Sequence, residues 1–171
     1  MCIRDSHRAG RPARIRFKCN SIVDERLIDA LYRAAQSGVP VDVFVRGICA
    51  IRPDLPGTEG RLRVISILGK FLEHSRAYEF ANAGDTEVWI GSADLMHRNL
   101  DRRVETLVRL DAPEHLAEVA GLFDLAFDPG TSAWDLNSEG TWTRRIVDEE
   151  GNDLVDYQDT VIAQRSSRRG G

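Results

Sequence analysis

The chain has 171 residues, 42% of them hydrophobic, which is enough for one domain with a core of ordinary size. Its 23 basic and 27 acidic residues leave a formal net charge of −4. This balance excludes the strongly positive surface that nonspecific nucleic-acid binding requires, so nucleic acid is not an expected partner. Any site for an anion must therefore be local.

The cysteines and the apolar runs indicate where the protein resides. Cys2, Cys19 and Cys49 are odd in number, far apart and without a CxxC pair. This spacing argues against a disulfide framework or a zinc site and favours a reducing compartment. No apolar run reaches the roughly 18 residues of a membrane span, and the N-terminal segment lacks the apolar stretch of a signal peptide. The sequence predicts a cytoplasmic protein without a membrane span.

The first half of the chain predicts a strand, a helix and a second strand. The segment "ARIRFK" (13–18) alternates apolar and polar residues, as a half-buried strand does. Apolar residues at helical spacing predict a helix over 24–37, with Asp24 as its N-cap and Gly38 just beyond its end. The run "VDVFV" (41–45) is typical of a covered strand. This order favours a parallel pair with a right-handed crossover.

The rest of the chain predicts more strands and helices around a hairpin. In chain order, the pattern indicates a loop at 49–60, a strand at 62–67, a short helical turn, hairpin strands at 74–80 and 86–92, a strand at 102–110, a helix at 113–128 and, after a tryptophan-containing loop, a helix around 152–164. Residues 1–13 lack periodicity and are expected to be a disordered or incidental segment, and residues 165–171 a disordered end. The fold class is α/β.

Polar residues stand where the predicted strand 74–80 begins. Alternate residues of a strand share a face, so His74 and Arg76 point the same way as Tyr78. If the next strand returns antiparallel, its end at Gly91 lies beside His74. We therefore expect the histidine and the arginine at one edge of the sheet.

The same edge is expected to gather more hydrogen-bond donors. Arg46 follows the second predicted strand at its carboxyl end, where α/β folds bind ligands. The loop after the hairpin supplies Arg98 and Asn99, with Asp94 as its one acid. Arginine forks match phosphate in a bidentate way, so this set predicts a phosphate site. His74 among arginines is available to accept a proton, and bound phosphate would let it act as an acid.

Ordinary structural roles would explain these residues as well. A histidine at the start of a strand is more often a surface or capping residue than a catalyst, and Arg46 could end its strand in solvent. Arg76 and Arg98 could pair with surface carboxylates, where each pair contributes at most about 1 kcal/mol. The polar strand end 18–20 could carry no function, and the tryptophans are expected to be packing residues.

Two long segments carry a resemblance to a known family. "RPARIRFKCNSIVDERLIDALYRAAQSGVPVDVFVRGICAIRP" and "RVISILGKFLEHSRAYEFANAGDTEVWIGSADLMHRNLDRRVE" closely resemble the C-terminal part of bacterial polyphosphate kinase, which transfers the terminal phosphate of ATP to polyphosphate and back. The likeness runs from about Arg11 to about Arg145. It implies a phospholipase-D-like mixed sheet flanked by helices, with the C-terminal catalytic domain at 14–128 and an extension at 129–171 that holds a loop and a possible helix.

The resemblance implies roles for the site residues. His74, within "FLEHSR", matches a histidine that binds ATP and helps as an acid or base, and Arg46, within "VRG", matches an ATP-phosphate ligand. Arg76 and Arg98 are expected along the polyphosphate path. A second histidine, which becomes phosphorylated, and the ligands of the expected Mg²⁺ cofactor belong to parts of the family's protein that this chain lacks. ATP, ADP and polyphosphate are the implied partners, and the full-length enzyme is expected to be a homo-oligomer.

The sequence also departs from related patterns. The His-x-Lys of phospholipase D enzymes is His74-Ser75-Arg76 here, and Asp94 replaces the asparagine that follows the Gly-Ser pair, which counts against a hydrolase. Leu95 stands where the family often has tryptophan, a change expected to affect packing more than chemistry. Residues 1–10 do not match, so the chain is expected to be a piece of a larger protein. Two alternatives stay open: a noncatalytic polyphosphate- or nucleotide-binding module, and a dimeric phospholipase-D-like phosphodiesterase.

Overall fold

The computed structural model describes residues 3–169 of the chain. In chain order, the helices and strands are α1 (Ile3–Arg8), β1 (Ala13–Cys19), α2 (Glu25–Gln36), β2 (Val41–Val45), β3 (Leu62–Ser66), β4 (Ala77–Asn82), β5 (Asp85–Gly91), α3 (His97–Asp101), β6 (Leu107–Leu110), α4 (Pro113–Ala126), β7 (Ala133–Leu136), β8 (Trp142–Arg145) and α5 (Tyr157–Arg169). No helix within 3–169 combines the length and the apolar character needed to cross a bilayer.

All eight strands belong to one mixed sheet with the order β6-β5-β4-β1-β2-β3-β7-β8. The three central neighbours β1, β2 and β3 run parallel, and every other pair is antiparallel. The predicted α/β class with a mixed sheet flanked by helices is confirmed. So is the predicted parallel pairing of the first two strands, which α2 connects.

Helix α2 begins and ends where the sequence predicts. The Asp24 side chain accepts a hydrogen bond from the Leu27 N–H at 2.9 Å, which satisfies one of the unpaired donors of the first turn. Gly38 follows the helix with a φ of +96°, a conformation in which a side chain would be strained. The cap at each end explains why the helix has this length.

The sheet is covered on both faces, and alternation along β2 shows how. Val41, Val43 and Val45 face a core that α2 closes with Ile28, Leu31, Ala34 and Ala35. Phe44 points to the opposite core, which α4 and α5 close with Phe123, Ala126 and Tyr157. A strand buried on both sides reads as a continuous apolar run, which is the pattern of 41–45.

The β4–β5 hairpin differs in detail from the prediction. Its turn has only two residues, Ala83 and Gly84, with φ of 57° and 92°, and positive φ at both positions is the signature of a type I′ turn. Strand β4 begins at Ala77, so the residues from His74 to Arg76 precede the strand. The predicted helical turn before them is wrong, because residues 67–76 have no regular secondary structure.

Both ends of the chain are more ordered than the sequence predicts. Residues 3–8 form α1, whose Ser6 is buried and hydrogen-bonds to Asn82, so the expectation of a disordered start is wrong for this segment. Helix α5 continues to Arg169, which corrects the disordered end expected from residue 165; residues 170 and 171 of that expectation lie outside the described range. The helix starts at Tyr157 rather than near 152 because Asp153 and Val155 form β-bridges, and the Asp156 side chain then accepts from the Asp159 N–H at 2.9 Å in the first turn.

Four short elements lie where the sequence predicted loops or a longer strand. The tryptophan-containing segment holds β7 and β8, which extend the sheet beyond β3. Helix α3 forms within the loop that follows the hairpin. The strand predicted from residue 102 begins only at Leu107, since Glu105 just before it accepts side-chain hydrogen bonds from Ser92 and Asn99. These elements have four or five residues each, too few to show a period in the sequence.

Candidate functional site

The predicted cluster lies at one edge of the sheet. Arg46 follows the carboxyl end of β2, His74 and Arg76 precede β4, and Asp94 follows β5. The Gly91 N–H donates to the Arg76 carbonyl at 3.3 Å, so the end of β5 lies beside the start of β4. The antiparallel return on which the sequence argument depended is confirmed.

Asp94 is the centre of the cluster. Its carboxylate accepts hydrogen bonds from Arg76 Nε at 3.2 Å and Arg76 Nη2 at 3.0 Å. The Asn20 backbone N–H donates to it at 2.8 Å and the Asn20 amide Nδ2 at 3.3 Å. Burial opposes ionisation of Asp94, but the hydrogen bonds from Arg76 and Asn20 outweigh it and lower the pKa of the carboxyl. The same contact raises the pKa of Arg76.

Asn20 joins the two arginines of the cluster, and the sequence argument gave it no role. While its Nδ2 donates to Asp94, its Oδ1 accepts a hydrogen bond from Arg46 Nε at 3.2 Å. Its backbone carbonyl accepts from the Gly47 N–H at 2.7 Å. Asn20 follows β1, the strand between β2 and β4, and only the strand order shows that position. An asparagine just past a buried strand is the signal that could have found it.

His74 extends this chain of hydrogen bonds to the surface. Arg76 Nη1 lies 3.3 Å from His74 Nδ1 and donates to the His74 carbonyl at 3.1 Å. A guanidinium has no acceptor, so Nδ1 accepts in this contact and a neutral His74 carries its proton on Nε2. The ring itself is exposed. The Nε2–H is thus the ring group that can donate a hydrogen bond to a bound molecule.

Arg98 and Asn99 lie apart from that hydrogen-bonded chain. Arg98 is exposed on α3 and has no hydrogen bond or ion pair with any residue between 3 and 169. Asn99 is buried, and its Nδ2 donates to Glu105 at 2.7 Å. Hydrogen bonds from Ser92 and Asn99 lower the pKa of Glu105. The predicted set therefore forms two groups, with Arg46, His74 and Arg76 in the first.

A buried lysine borders the site on the other face of the sheet. Lys18 Nζ lies 2.9 Å from Glu73 Oε2 and donates to Ser75 Oγ at 2.8 Å. It also stands 4.7 Å from the centre of the Phe44 ring. Burial lowers the pKa of Lys18 despite the neighbouring carboxylate. Lys18 and Ser75 line a mainly apolar cavity of about 620 Å³ between the sheet and α4 and α5.

A metal ion in a protein is held by several ligating side chains at one place. Within 3–169, no three or more His, Cys, Asp and Glu side chains come together in a way that could hold a cation. Asp94, the acid at the centre of the cluster, is already bound to Arg76 and Asn20. We therefore assign no magnesium ligand to these residues.

Fold and site together define an α/β domain whose sheet edge presents arginine and histidine side chains, the groups that bind polyanions. Residues 3–158 match the sequence model of the family "Polyphosphate kinase C-terminal domain 2". The chain belongs to this family. The match begins at residue 3, which corrects the expectation that residues 1–10 fall outside the likeness.

Relatives and solved structures agree with this assignment. The chain is 55% identical over 164 residues to the polyphosphate kinase of Streptomyces coelicolor, covering 96% of this chain and 22% of that protein. It is 51% identical over 158 residues to the polyphosphate kinase of Mycolicibacterium gilvum, covering 92% and 21%. The chain thus spans about a fifth of the length of these relatives.

The crystal structure of polyphosphate kinase from Porphyromonas gingivalis superposes with a TM-score of 0.86 at 28% identity, over 97% of this chain and 25% of that one. NucT from Helicobacter pylori superposes with a TM-score of 0.51 at 13% identity, over 65% of this chain and 76% of that one. The second likeness is one of fold alone.

Proposed function

We propose that this domain is the C-terminal catalytic part of an ATP:polyphosphate phosphotransferase that reversibly transfers the terminal phosphate of ATP to polyphosphate. The observation that carries the proposal is the hydrogen-bonded chain from His74 through Arg76, Asp94 and Asn20 to Arg46. It holds one imidazole and two guanidinium groups in a fixed relation at one sheet edge. Membership of the polyphosphate kinase family supports the choice of substrates.

Arg46 is suited to bind a phosphate of ATP. Of its side-chain nitrogens, only Nε has a hydrogen-bond partner within the described part of the chain, Asn20 at 3.2 Å, so both terminal nitrogens face no protein acceptor there. These two nitrogens form the fork that matches two phosphate oxygens. The Asn20 contact holds the fork in place before the ligand arrives, which lowers the entropy lost on binding.

His74 is suited to proton transfer, and two further arginines to a polyanion. The Nε2–H of His74 would donate a hydrogen bond to a phosphate oxygen. It would pass its proton to that oxygen only from the imidazolium form, in which Nδ1 also carries a proton and Arg76 Nη1 keeps only the His74 carbonyl as its acceptor. Arg76, which holds His74 and is bound to Asp94, and the exposed Arg98 are assigned to the polyphosphate path. Phosphoryl transfer depends mostly on positioning and charge neutralisation, which such a set supplies.

The remaining parts of the reaction are assigned to the rest of a longer protein. Mg²⁺ would neutralise charge on the phosphates of ATP. We assign its ligands and the phosphorylated histidine to other parts of the longer protein, and the coverage of about a fifth of the relatives' length supports this assignment. The proposed enzyme acts in the cytoplasm as a homo-oligomer with ATP, ADP and polyphosphate as its partners. The isolated chain should not turn over, and ATP-dependent polyphosphate synthesis by it alone would contradict this.

Calorimetric titration of the 171-residue chain tests the binding site. ATP and polyphosphate, each with Mg²⁺, are titrated into the unmodified chain and into Arg46→Ala and His74→Ala. We expect Arg46→Ala to weaken binding by about tenfold or more, since a charge-assisted bidentate contact is lost. Arg26→Ala, which removes an exposed arginine of α2, is the matched control and should bind as before. Absence of binding, or equal losses in all three variants, would contradict a preformed site.

A chimera separates a catalytic domain from a binding module. The corresponding fifth of the Streptomyces coelicolor enzyme, which is 55% identical, is replaced by this chain. We expect the chimera to make polyphosphate from ATP and the same chimera with His74→Ala to lose that activity while still binding polyphosphate. Full activity with His74→Ala would show that the domain only binds.

A further inference from the structure

Gln158 of α5 reaches the irregular segment that leads to His74. Its side chain is only 4% exposed. Oε1 accepts a hydrogen bond from the Phe71 N–H at 2.9 Å, and Nε2 donates to the Phe71 carbonyl at 2.8 Å. The amide thus pairs with both backbone groups of one residue, as a neighbouring strand would. A third hydrogen bond runs from Nε2 to Glu73 Oε1 at 2.7 Å.

The segment has few other means of holding its shape. Residues 67–76 form no helix or strand, so their backbone groups, apart from the Arg76 carbonyl that accepts from the Gly91 N–H, depend on side chains or water for hydrogen bonds. Gly69 leaves the space that Gln158 occupies, because a Cβ there would lie 2.5 Å from Gln158 Oε1. Glu73, the residue before His74, is held from two sides, by Gln158 through Oε1 and by Lys18 through Oε2 at 2.9 Å.

We propose that Gln158 is a positioning residue for His74. The His74 ring is exposed, and among the described residues only Arg76 contacts it through a side-chain hydrogen bond. The place of the ring therefore depends on the backbone that leads to it, which Gln158 holds at Phe71 and Glu73. The C-terminal extension would then fix the position of His74 through the side-chain amide of Gln158. The ligand-binding part of this inference rests on the proposed function.

A second contact between the same helix and the same segment provides a control. Lys70 Nζ donates to Asp159 Oδ1 at 2.6 Å, and both side chains are more than half exposed. An exposed pair of this kind contributes little, so Asp159→Asn should change neither stability nor the position of His74. If α5 served only to attach the segment loosely, the Gln158 and Asp159 variants would behave alike.

The position of His74 can be read without a ligand, from the imidazole signals in proton–carbon NMR spectra of the full chain. In Gln158→Met, which keeps the length but removes all three hydrogen bonds, we expect the His74 ring signals to shift or split. Those of His97 and His115 should stay in place, and Asp159→Asn should leave all of them unchanged. A folded Gln158→Met with unaltered His74 signals would overturn the proposal.

If Gln158→Met does not fold, a second pair of variants tests the same proposal. Gln158→Glu keeps the acceptor for Phe71 but sets a carboxylate against Glu73, so His74 should be displaced. Adding Glu73→Gln restores an amide opposite the new carboxylate, and the His74 signals should return toward their original positions. Displacement without any return in the double variant would count against the route through Glu73.

Polyphosphate titration then tests the consequence for binding. Gln158→Met should weaken binding by about tenfold, the size expected for loss of roughly one hydrogen bond's worth of free energy. In a His74→Ala background it should cause no further loss, and an equal loss in both backgrounds would overturn the proposal. Absence of binding by the unmodified chain would contradict the proposed function instead, while the NMR comparison would still decide the role of Gln158.

Discussion

Arg76 and Asp94 face each other in a two-point contact, with Nε 3.2 Å from Oδ1 and Nη2 3.0 Å from Oδ2. Both side chains are largely buried, at 13% and 7% exposure. The contact fixes the plane of the guanidinium, and the third nitrogen of Arg76 is thereby directed at His74. Asp94 thus orients the arginine that hydrogen-bonds to His74.

Replacing Asp94 by asparagine should reduce stability and its dependence on pH. The ionised carboxylate has a lowered pKa in the folded state, so it contributes stability above its ordinary pKa and loses that contribution as pH falls through the lowered value. Asp94→Asn should cost about 3 kcal/mol at neutral pH, because Arg76 is left buried without its counter-charge. Urea unfolding over an acidic pH series should show a shallower decline for the variant. Parallel curves would contradict this.

Replacing Asn20 by aspartate should disrupt the hydrogen bonds through which Asn20 links Arg46 to Asp94. The new carboxylate would stand where the amide now donates to Asp94 Oδ2 at 3.3 Å, and two adjacent carboxylates repel. We expect Asn20→Asp to cost about 2 kcal/mol at neutral pH and to recover as the pH falls and one carboxylate is protonated. Gln36→Glu, an amide-to-acid change at an exposed position of α2, should stay close to the unmodified chain in the same unfolding series.

Adding one methyl group at Gly47 should move Arg46. A Cβ there would lie 2.8 Å from the Asn20 carbonyl oxygen, to which the Gly47 N–H already donates at 2.7 Å. Because the backbone must shift, Gly47→Ala should weaken ATP binding by about tenfold in the calorimetric titration. Gly121→Ala is the matched control, since nothing lies within 4 Å of a Cβ at that helical position. It should raise stability by about 0.5 to 1 kcal/mol and leave binding unchanged.

The buried pair of Arg16 and Glu79 should be replaceable only as a pair. Both side chains are 2% exposed, and Arg16 Nη2 lies 2.7 Å from Glu79 Oε2. Glu79→Leu should cost about 3 kcal/mol, because Arg16 keeps only Asp124 as an acidic partner, whereas Arg16→Met combined with Glu79→Leu should recover most of that loss. Urea unfolding of Glu79→Leu, Arg16→Met and the double variant measures the coupling between the two residues. Costs that simply add would show that the pair does not act as a unit.

Local features of the fold followed from local sequence. Asp24 and Gly38 flank the twelve-residue helix Glu25–Gln36 and its C-cap Ser37, so the limits of α2 could be predicted to within one residue. The continuous apolar run 41–45 predicted a covered strand, and its alternate residues fill two different cores. The contact between the end of β5 and the start of β4 followed from a five-residue gap with a glycine.

The site was predictable only in part. Arg46, His74 and Arg76 come together as expected, since each stands at the end of a recognisable strand. The only local signal at Asn20 is its place just past a buried strand, and its role depends on β1 lying between β2 and β4. The segment 67–76 was predicted as a helical turn and the start of a strand. This prediction failed because the side chain that pairs with its backbone, Gln158, lies 87 residues away from Phe71 in the chain.

The sequence by itself therefore determined the ends of α2, the two covered faces of β2 and the residue types of the polar cluster, since these depend on neighbours within a few positions. Only the tertiary structure decided which polar groups touch. Asn20 bridges Arg46 and Asp94, and Gln158 holds the approach to His74, through hydrogen bonds between residues 26 to 87 positions apart. Such bonds act over about 3 Å, so they exist only once the sheet order has placed their partners side by side.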